Sequence, residues 1–490
     1  FNLTVLQWSF FDALGVKTDV TNRLTGGHQA EFKIPESESR PLWKKAVRAW
    51  RYILTAIPAL RMQWKAPQEF KRNRAFCRHW MKKERHPLSI KEMLVGVDDM
   101  YQHSRSLIPT IALINGMSGI PLITLQNTLR PVFGERTEEL THSLMMGAGK
   151  IVSAEHGYQL VRMAEIARKD PEARAWFESM EFNPKDWPHK FAEDSPFRKA
   201  FTEYLKEFGH RAVYEADMKN PRWADDPSYL LYGIRDMLPT ADYKGLKKKQ
   251  EDTRKAAWKE INQKCSLIIR LLVKFHVGQA VWGAELREQA KSEMVRMLMP
   301  FQQLCDHIGK ELVQREILNS PEDVHHCDWS ELLSVLADDW NGAGLKDLIE
   351  ERKLLYQEWQ QLDAPDLIIE DAPQYAPAAE VTTGGYYQGI GAATGVAEGI
   401  VRIIRHPEEG VRLKPGEILA APTTDPGWTP LFLKASGIIV EAGGTMSHGA
   451  IVAREFGIPS VLNIPGILNQ LKDGQKVRVD GNLGRVWMNL

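Results

Sequence analysis

The sequence predicts a multidomain protein in which a large, mostly α-helical domain is followed by a small α/β domain. With 490 residues, the chain is longer than one hydrophobic core usually supports. Helical periodicity dominates residues 39–363, whereas short β-type runs with turn signals dominate the C-terminal part. A stretch rich in Pro, Ala, Thr and Gly separates the two. We therefore place the helical domain at residues 1–362, a flexible linker at 363–386 and the small domain at 387–490.

The composition argues against several classes of protein. Hydrophobic residues make up 43% and charged residues 26%, which is typical of globular domains. Lys+Arg and Asp+Glu both count 63, so no net charge attracts nucleic acid or an anionic membrane. Residues 106–125 form the one uncharged stretch long enough to span a bilayer. Pro and Gly interrupt it, so we interpret it as buried core with a bend, or as the wall of an apolar ligand pocket.

The cysteines indicate the redox environment of the protein, and the first residue suggests that the sequence is part of a longer chain. The four cysteines form no CxxC pair and predict neither a disulfide framework nor a zinc site, which fits a reducing cytoplasm. His325, His326 and Cys327 are adjacent but have no further ligand at metal-site spacing, so we interpret them as a surface turn. Because the chain starts at Phe1 and not at Met, we expect a fragment or a processed piece.

The helical domain shows apolar residues on one face of each predicted helix. In the first helix these are Trp43, Val47, Trp50 and Leu54, which alternate with basic residues. Further helices are predicted at 137–168, 197–208, 244–286 and 331–362, with breaks such as 183–188 and 220–227.

The small domain combines β-type runs at 399–404, 417–421, 436–441 and 476–479 with one helix. The segment GIIVEAGGTMSHGAIVAREFGIPSV, residues 437–461, reads as strand, glycine turn and helix. Gly443 and Gly444 stop the strand, Thr445 and Ser447 offer hydroxyls for the helix N-cap, and a glycine followed by a proline ends the helix. This pattern places His448 in the first helical turn.

A histidine at a helix start is suited to carry a phosphoryl group. Free backbone N–H groups and the positive end of the helix dipole disfavour imidazolium and favour a dianion. The glycines let the backbone approach a phosphate, and Thr445 and Ser447 can donate hydrogen bonds to it. Arg454, six residues on, is expected to complement the helix C-terminus. By residue type alone, a histidine at a helix start is more often a capping or core residue than a nucleophile.

The segment GGTMSHGAIVAREFGIPSV resembles the phosphohistidine signature of the phosphoenolpyruvate (PEP)-utilising enzymes, a group that includes pyruvate phosphate dikinase, PEP synthase and rifampicin phosphotransferase. The resemblance continues through residues 395–404, 414–432 and 473–486. It implies a swivelling α/β phosphohistidine domain whose histidine is phosphorylated at an ATP-grasp domain and carries the group to a second active site. His448 would be the carrier histidine, and the phosphohistidine loop would contain Gly443, Gly444, Thr445 and Ser447.

The order of the predicted domains indicates which members of this group the chain resembles. We find no glycine-rich nucleotide segment with an ATP-grasp pattern and no room for a PEP-handling barrel, so the chain resembles rifampicin phosphotransferase-like and PEP synthase-like proteins that lack the ATP-grasp domain. FGHRAVYEADMKNPRWADDPSYL (208–230) and SPEDVHHCDWSELL (320–333) resemble parts of the acceptor-binding middle domain. This implies acceptor or phosphoryl contacts by His210, Arg211, Glu215 and Arg222. A buried salt-bridge cluster joining two helices would use the same residues.

The resemblance implies an ATP-dependent, dikinase-type phosphotransferase fragment. ATP and Mg²⁺ would be bound by a missing or separate ATP-grasp domain, this chain alone would bind no cofactor or metal, and the helical domain would bind a small organic acceptor. Two alternatives stay open: an ATP-dependent condensing ligase of the prodigiosin-synthase type, and a non-catalytic phosphocarrier or regulatory subunit. We expect a cytoplasmic protein whose partners are the acceptor and an ATP-grasp domain or subunit, without nucleic acid or membrane. We also expect that His448 is not permanently docked on the helical domain.

Overall fold

In the computed structural model, helices build the N-terminal part and a curled β-sheet builds the C-terminal part. The structure describes residues 42–83, 86–362, 365, 367–369, 372–375 and 378–488. For residues 42–60, 62, 116, 117, 367 and 369 it describes the backbone alone. Phe1 lies outside the described residues, as do the side chains of Trp43, Val47, Trp50 and Leu54.

The predicted helical domain is confirmed. The helices of this part, numbered in chain order, are α1 Leu42–Lys83, α2 Ile90–Met117, α3 Ile120–Phe133, α4 Thr137–Met145, α5 Val152–Lys169, α6 Pro171–Glu178, α7 Trp187–Lys190, α8 Pro196–Phe208, α9 Ser228–Met237, α10 Tyr243–Lys264, α11 Leu267–Gln314, α12 Trp329–Leu336 and α13 Leu345–Trp359. The helix expected at 197–208 corresponds to α8.

Three other predicted helices are each divided in two, because short backbone breaks interrupt an otherwise continuous apolar pattern. Between α4 and α5, Gly147 has φ 59°, a left-handed conformation that stops a helix. Between α10 and α11, Cys265 is extended and the Ser266 side chain accepts a hydrogen bond from Ile269 N–H as the N-cap of α11. Between α12 and α13, Gly342 and Gly344 have φ of 76° and 81°. α11 then continues to Gln314, well past the predicted end at 286.

The uncharged stretch 106–125 bends where it was expected to bend. Helix α2 ends at Met117 and α3 begins at Ile120, and Leu107, Ile114 and Leu125 are buried between them and neighbouring helices. Two described stretches, Ile90–Met145 and Leu267–Gln314, are long and apolar enough to cross a membrane by length and composition, a test that core helices of soluble proteins also pass.

The small α/β domain is also confirmed; four of its eight strands match the predicted β-type runs, and the other four were not predicted. A two-stranded hairpin precedes it within the predicted linker. The strands and helices are β1 Leu367–Ile369, β2 Ala372–Gln374, β3 Tyr387–Gln388, β4 Ile390–Ala393, β5 Val396–Ile403, β6 Ile418–Ala421, α14 Thr429–Phe432, β7 Gly437–Val440, α15 His448–Phe456, β8 Ser460–Leu462, α16 Ile467–Gln470, β9 Lys476–Asp480 and β10 Arg485–Trp487.

The main sheet has the strand order β3-β10-β9-β5-β6-β7-β8-β4. Strands β5 to β8 are parallel neighbours, and the remaining pairs are antiparallel. Since only Gly389 separates β3 from β4, the two ends of the strand order lie close in space and the sheet curls toward a barrel. Side chains alternate across it: Ile438 and Val440 of β7 face one apolar cluster and Ile439 faces another.

The small domain is packed on the helical domain through a continuous apolar cluster. The central contact joins α5 and α15, where the Tyr158 and Phe456 rings meet edge to face at 5.0 Å between centroids. Gly157 lies beside them, and a Cβ at this position would stand 2.5 Å from Phe456 Cζ and 2.7 Å from Thr429 Cγ2. The close approach of the two domains therefore depends on a residue without a side chain.

We expect Gly157→Ala to weaken docking of the small domain while leaving the helical domain at least as stable. Overpacking costs about 1–3 kcal/mol, whereas Ala in place of Gly stabilises a helix interior by about 1 kcal/mol. Small-angle X-ray scattering would report a larger mean radius. The matched control is Gly278→Ala in α11, where an added Cβ meets nothing within 4 Å. Equal scattering curves for the two variants would contradict the expectation.

Candidate active site

The predicted strand, glycine turn and helix around His448 is present. Strand β7 is buried, and the Ser447 side chain caps α15 by accepting a hydrogen bond from Ala450 N–H at 3.3 Å. His448 is the first residue of α15, and Gly457 ends it with φ 63°. The loop folds back on itself, since Ser447 N–H donates to the Gly444 carbonyl at 2.9 Å. These contacts fix the position of the imidazole at a helix N-terminus.

Arg454 has a different role from the predicted one. It lies in the last turn of α15, but its guanidinium donates a hydrogen bond to the Thr445 carbonyl at 2.9 Å and is buried. The long side chain thus runs back along the helix and braces the phosphohistidine loop, because an arginine can donate several hydrogen bonds and here reaches a loop carbonyl. Burial lowers the pKa of Arg454 to about 10, so the guanidinium stays charged at neutral pH.

His448 is enclosed between the two domains, with 5% of the residue exposed. Its Nε2 lies 3.4 Å from Thr429 Oγ1 in the small domain. Its Nδ1 lies 3.9 Å from Glu288 Oε2 on helix α11, which is too long for a hydrogen bond but close enough for charge interaction. The Phe432 ring lies roughly parallel to the imidazole at 6.5 Å. The carrier side chain therefore faces the helical domain in this structure.

Helix α11 supplies three charged residues to the site, none of which the sequence reasoning identified. Glu288 Oε2 accepts a hydrogen bond from Ser153 Oγ at 2.5 Å. Arg287 donates to the Met446 carbonyl next to the phosphohistidine loop hydroxyls. Lys291, one turn after Arg287, stands 3.7 Å from Glu215 Oε1. Glu288 is buried, but burial is a property of the folded chain, and the sequence of α11 does not distinguish these three residues from its other charged residues.

The charges around His448 favour its neutral form. Burial lowers the pKa of His448, and the nearby positive charges of Lys291 and Arg211 lower it further, while Glu288 acts in the opposite direction. For Glu288, burial alone would raise the pKa. The adjacent His448 ring together with Arg287 and Lys291 nevertheless holds that pKa well below its usual range. The site thus combines a neutral imidazole, whose ring nitrogen can accept a phosphoryl group, with an ionised carboxylate.

The four residues of the GHR segment are all buried, but they divide into two groups. Arg211 and Glu215 form an ion pair at 3.3 Å and reach the site, since Arg211 acts on the pKa of His448 and Glu215 pairs with Lys291. His210 instead pairs with Ser292 Oγ at 3.0 Å. These contacts are those of a buried polar cluster against α11, and contacts of Arg211 or Glu215 with an acceptor or a phosphoryl group stay a prediction.

Arg222 is bound to its own loop and to α11. It donates to the Glu215 carbonyl at 2.7 Å, to Gln302 Oε1 at 3.0 Å and to the Asp217 carbonyl at 3.4 Å. Its guanidinium therefore shapes the loop that presents Arg211 and Glu215. A direct contact of Arg222 or His210 with an acceptor stays a prediction.

The same loop contacts the small domain. Tyr214 N–H donates to Asp425 Oδ2 at 3.0 Å, and the Tyr214 hydroxyl lies 2.7 Å from His406 Nδ1. Tyr214 has φ 51°, a left-handed conformation that turns its N–H toward the small domain. Burial, reinforced by the Glu215 charge, raises the pKa of Asp425 to about 6. Asp425 is a further residue at this interface that the sequence did not single out.

Within the part of the chain that the structure describes, no group of three or more His, Cys, Asp or Glu side chains is arranged to hold a metal ion. Two surface clefts, of about 750 and 410 Å³, lie away from the His448 site, one against the last third of α11 and one between α6 and α9.

Two parts of the chain match models of known families. Residues 413–484 match the PEP-utilising enzyme, mobile domain, and residues 111–288 match the rifampicin phosphotransferase fourth domain. The first match contains His448 and its loop, and the second ends at Glu288. The resemblance inferred from the sequence is thereby confirmed, and the two matched regions are the ones that meet at His448 and Glu288.

Curated relatives show the same likeness. A rifampicin phosphotransferase of Bacillus cereus is 29% identical over 356 residues, which cover 68% of this chain and 39% of the relative. One of Streptomyces sviceus is 27% identical over 381 residues, 74% of this chain and 42% of the relative. An uncharacterised protein of Mycobacterium tuberculosis is 29% identical over 340 residues, 69% of this chain and 36% of the relative. The chain spans about two fifths of the length of these relatives.

The electrostatic assignment can be tested by opposite shifts in the titration of His448. Glu288→Gln removes a negative charge and should lower the pKa of His448 further, whereas Lys291→Met removes a positive charge and should raise it. Nitrogen-15 NMR of the labelled imidazole measures both. Lys255→Met, an exposed charge on α10, serves as the control and should leave the titration unchanged. Shifts of the same sign in the first two variants would refute the assignment.

Proposed function

We propose that this chain, which carries the mobile domain of a PEP-utilising enzyme, is the acceptor-side part of an ATP-dependent phosphotransferase with a phosphohistidine intermediate. The observation that supports this most is the burial of His448 against the Glu288 and Lys291 side chains of the helical domain. A domain that only carried phosphate to another protein would have no need of an ionised carboxylate beside its histidine.

The transfer step uses the residues of this site. The hydroxyl oxygen of an acceptor attacks the phosphorus of phospho-His448, a P–O bond forms, and the P–N bond breaks with its electron pair returning to the imidazole. Glu288 takes the hydroxyl proton. Lys291, Arg287 and Arg211 neutralise the phosphoryl oxygens as charge moves through them.

The phosphoryl group itself makes Glu288 a better base. In the unphosphorylated site, neighbouring positive charges hold the pKa of Glu288 low. A dianionic group on His448 would pair with those charges and bring negative charge next to the carboxylate, and both effects raise its pKa. The carboxylate therefore gains proton affinity at the stage when a proton has to be taken.

Phosphorylation requires His448 to leave this position, because an enclosed imidazole cannot reach a nucleotide on another domain. We propose that ATP and Mg²⁺ are bound by an ATP-grasp domain, on a longer form of the chain or on a partner, and that the linker at 363–386 permits the movement. The four cysteines are free thiols, in keeping with a reducing compartment such as the cytoplasm. The acceptor is a small organic molecule with a hydroxyl group, and rifampicin is the first candidate because curated relatives are named for it.

The two half-reactions can be separated by substitution. After incubation with ATP, Mg²⁺ and an ATP-grasp domain from the native context, wild-type chain should gain about 80 Da of acid-labile phosphate, and His448→Ala should gain none. Glu288→Gln should still be labelled but should pass the group to an acceptor at least about 100-fold more slowly, the usual contribution of a general base.

The controls also distinguish the alternatives. Glu251→Gln, an exposed glutamate on α10, should behave as wild type in both half-reactions. A joined product together with free phosphate would indicate a condensing ligase. Labelling of His448 with no transfer to any hydroxyl compound would indicate a carrier subunit. No label on wild-type protein beside a competent ATP-grasp domain would refute the proposed function.

A further inference from the structure

A buried carboxyl group of the small domain, that of Glu455, lies at the opposite end of helix α15 from His448. Glu455 is 4% exposed, although it is the seventh residue after His448 on a domain that is expected to move. Its Oε2 accepts hydrogen bonds from Gly147 N–H at 3.1 Å and from Gln250 Nε2 at 2.8 Å, both in the helical domain. Docking thus places this carboxyl group in a socket formed by the α4–α5 loop and α10.

The socket offers neutral donors to Glu455. The Gly147 amide and the Gln250 side chain carry no charge, and none of the ion pairs found within 4 Å among the described residues includes Glu455. Burying an ionised carboxylate without a paired cation is costly, whereas burying its protonated form is not. The surroundings therefore favour the carboxylic acid over the carboxylate when the domains are docked.

The hydrogen-bond count points the same way. The Gln250 amide nitrogen stands close to three oxygens, the Glu455 carboxyl oxygen, the Glu455 backbone carbonyl at 2.6 Å and the Tyr158 hydroxyl, but it has two hydrogens. Tyr158 also donates to the Glu455 carbonyl at 2.8 Å. Gly147 N–H and one hydrogen of Gln250 are thus the donors found for the carboxyl group among the described residues, fewer than the roughly four that an ionised carboxylate can accept.

We propose that Glu455 is a positioning residue that holds the small domain on the helical domain as a protonated carboxylic acid, so that docking takes up a proton and undocking releases one. Burial raises the pKa of Glu455 to about 7 in the docked structure, from 4.5 for an exposed glutamate. The Gly147 hydrogen bond, Arg454, Lys247 and Gln250 limit this rise. The proposal concerns docking alone, so it can fail while the proposed phosphotransfer stands.

The titratable groups that face Glu455 come from three elements. Helix α10 contributes Lys247, whose own pKa burial lowers and whose Nζ lies 3.6 Å from the centre of the Tyr158 ring. From the same helix, Arg254 is bound to the Met146 and Gly147 carbonyls of the α4–α5 loop, and Lys249 donates to the Gly457 carbonyl at 3.0 Å. The remaining groups that act on Glu455 or on these neighbours are Glu155 and Tyr158 on α5 and Arg454 on α15.

The sign of the pH dependence follows from the raised pKa. Below pH 4.5 the carboxyl group is protonated in both states and docking bears no cost. As pH rises from 4.5 to about 7, the undocked form ionises first and docking weakens. With these two pKa values the docking constant falls by on the order of 100-fold between pH 5 and pH 8. Glu455→Gln, which resembles the protonated acid, should remove this fall and stay docked at pH 8.

The experiment measures the docked fraction by small-angle X-ray scattering from pH 5 to pH 8.5. Wild type and Glu455→Gln are compared directly and also in the Gly157→Ala background, where weaker docking keeps both states populated. Glu398→Gln, an exposed glutamate of the same domain, is the matched control and should retain the wild-type profile. Because Asp425 and His448 also titrate at the interface, the ratio of the two docking constants at each pH isolates the contribution of Glu455.

Each result decides the proposal. Equal pH profiles for wild type and Glu455→Gln would overturn it, and so would an undocked Glu455→Gln protein at every pH, since the carboxylate would then be the form that docks. A second variant guards against a folding defect. Gln250→Glu changes the helical domain alone and should steepen the pH dependence, because two facing carboxyl groups cannot both ionise. Circular dichroism confirms that each variant is folded.

Discussion

The contact between His448 and helix α11 is the interaction on which the rest of the site depends. It joins the end of one family match to the centre of the other, and it brings a helix N-terminus of the small domain against buried charges of the helical domain. A helix N-terminus repels imidazolium, and burial does the same. Docking of the small domain on the helical domain therefore also favours the neutral form of the His448 imidazole.

Four polar contacts between the domains share a pattern. Side chains of the helical domain donate to backbone carbonyls of the small domain, from Arg287 to Met446, from Tyr158 to Glu455, from Tyr229 to Gly427 and from Lys249 to Gly457. Backbone carbonyls stay in place only while the loops keep their shape, so these four contacts depend on the fold of the small domain. Asp425 and Glu455 instead accept hydrogen bonds from the helical domain through their side chains. Neutral and singly charged hydrogen bonds of this kind contribute about 0.5–3 kcal/mol each, which suits an interface that has to open.

The sequence predicted the small-domain half of the site and missed the other half for a physical reason. Residues close together in the sequence determine the strand, the glycine turn, the Ser447 cap and the helix, so the position of His448 follows from local sequence preferences. Glu288 and Lys291 reach His448 from about 160 residues away, and nothing in the local pattern of α11 distinguishes them from its other charged residues. The helix breaks were missed similarly, because Gly147 and Cys265 interrupt the backbone without interrupting the apolar periodicity.

Charge balance explains how one buried surface can serve two states of the carrier. In the unphosphorylated structure, docking favours a neutral His448 and raises the pKa values of Asp425 and Glu455, so the interface accepts little net charge. Phosphorylation adds a dianion at His448, and an unpaired dianion would be expelled from such a surface. Lys291, Arg287 and Arg211 supply the compensating charge at that one place. Under the proposed function, the phosphorylated domain would dock where phosphoryl transfer can occur, and loss of the phosphoryl group would return those cations to Glu288 and Glu215.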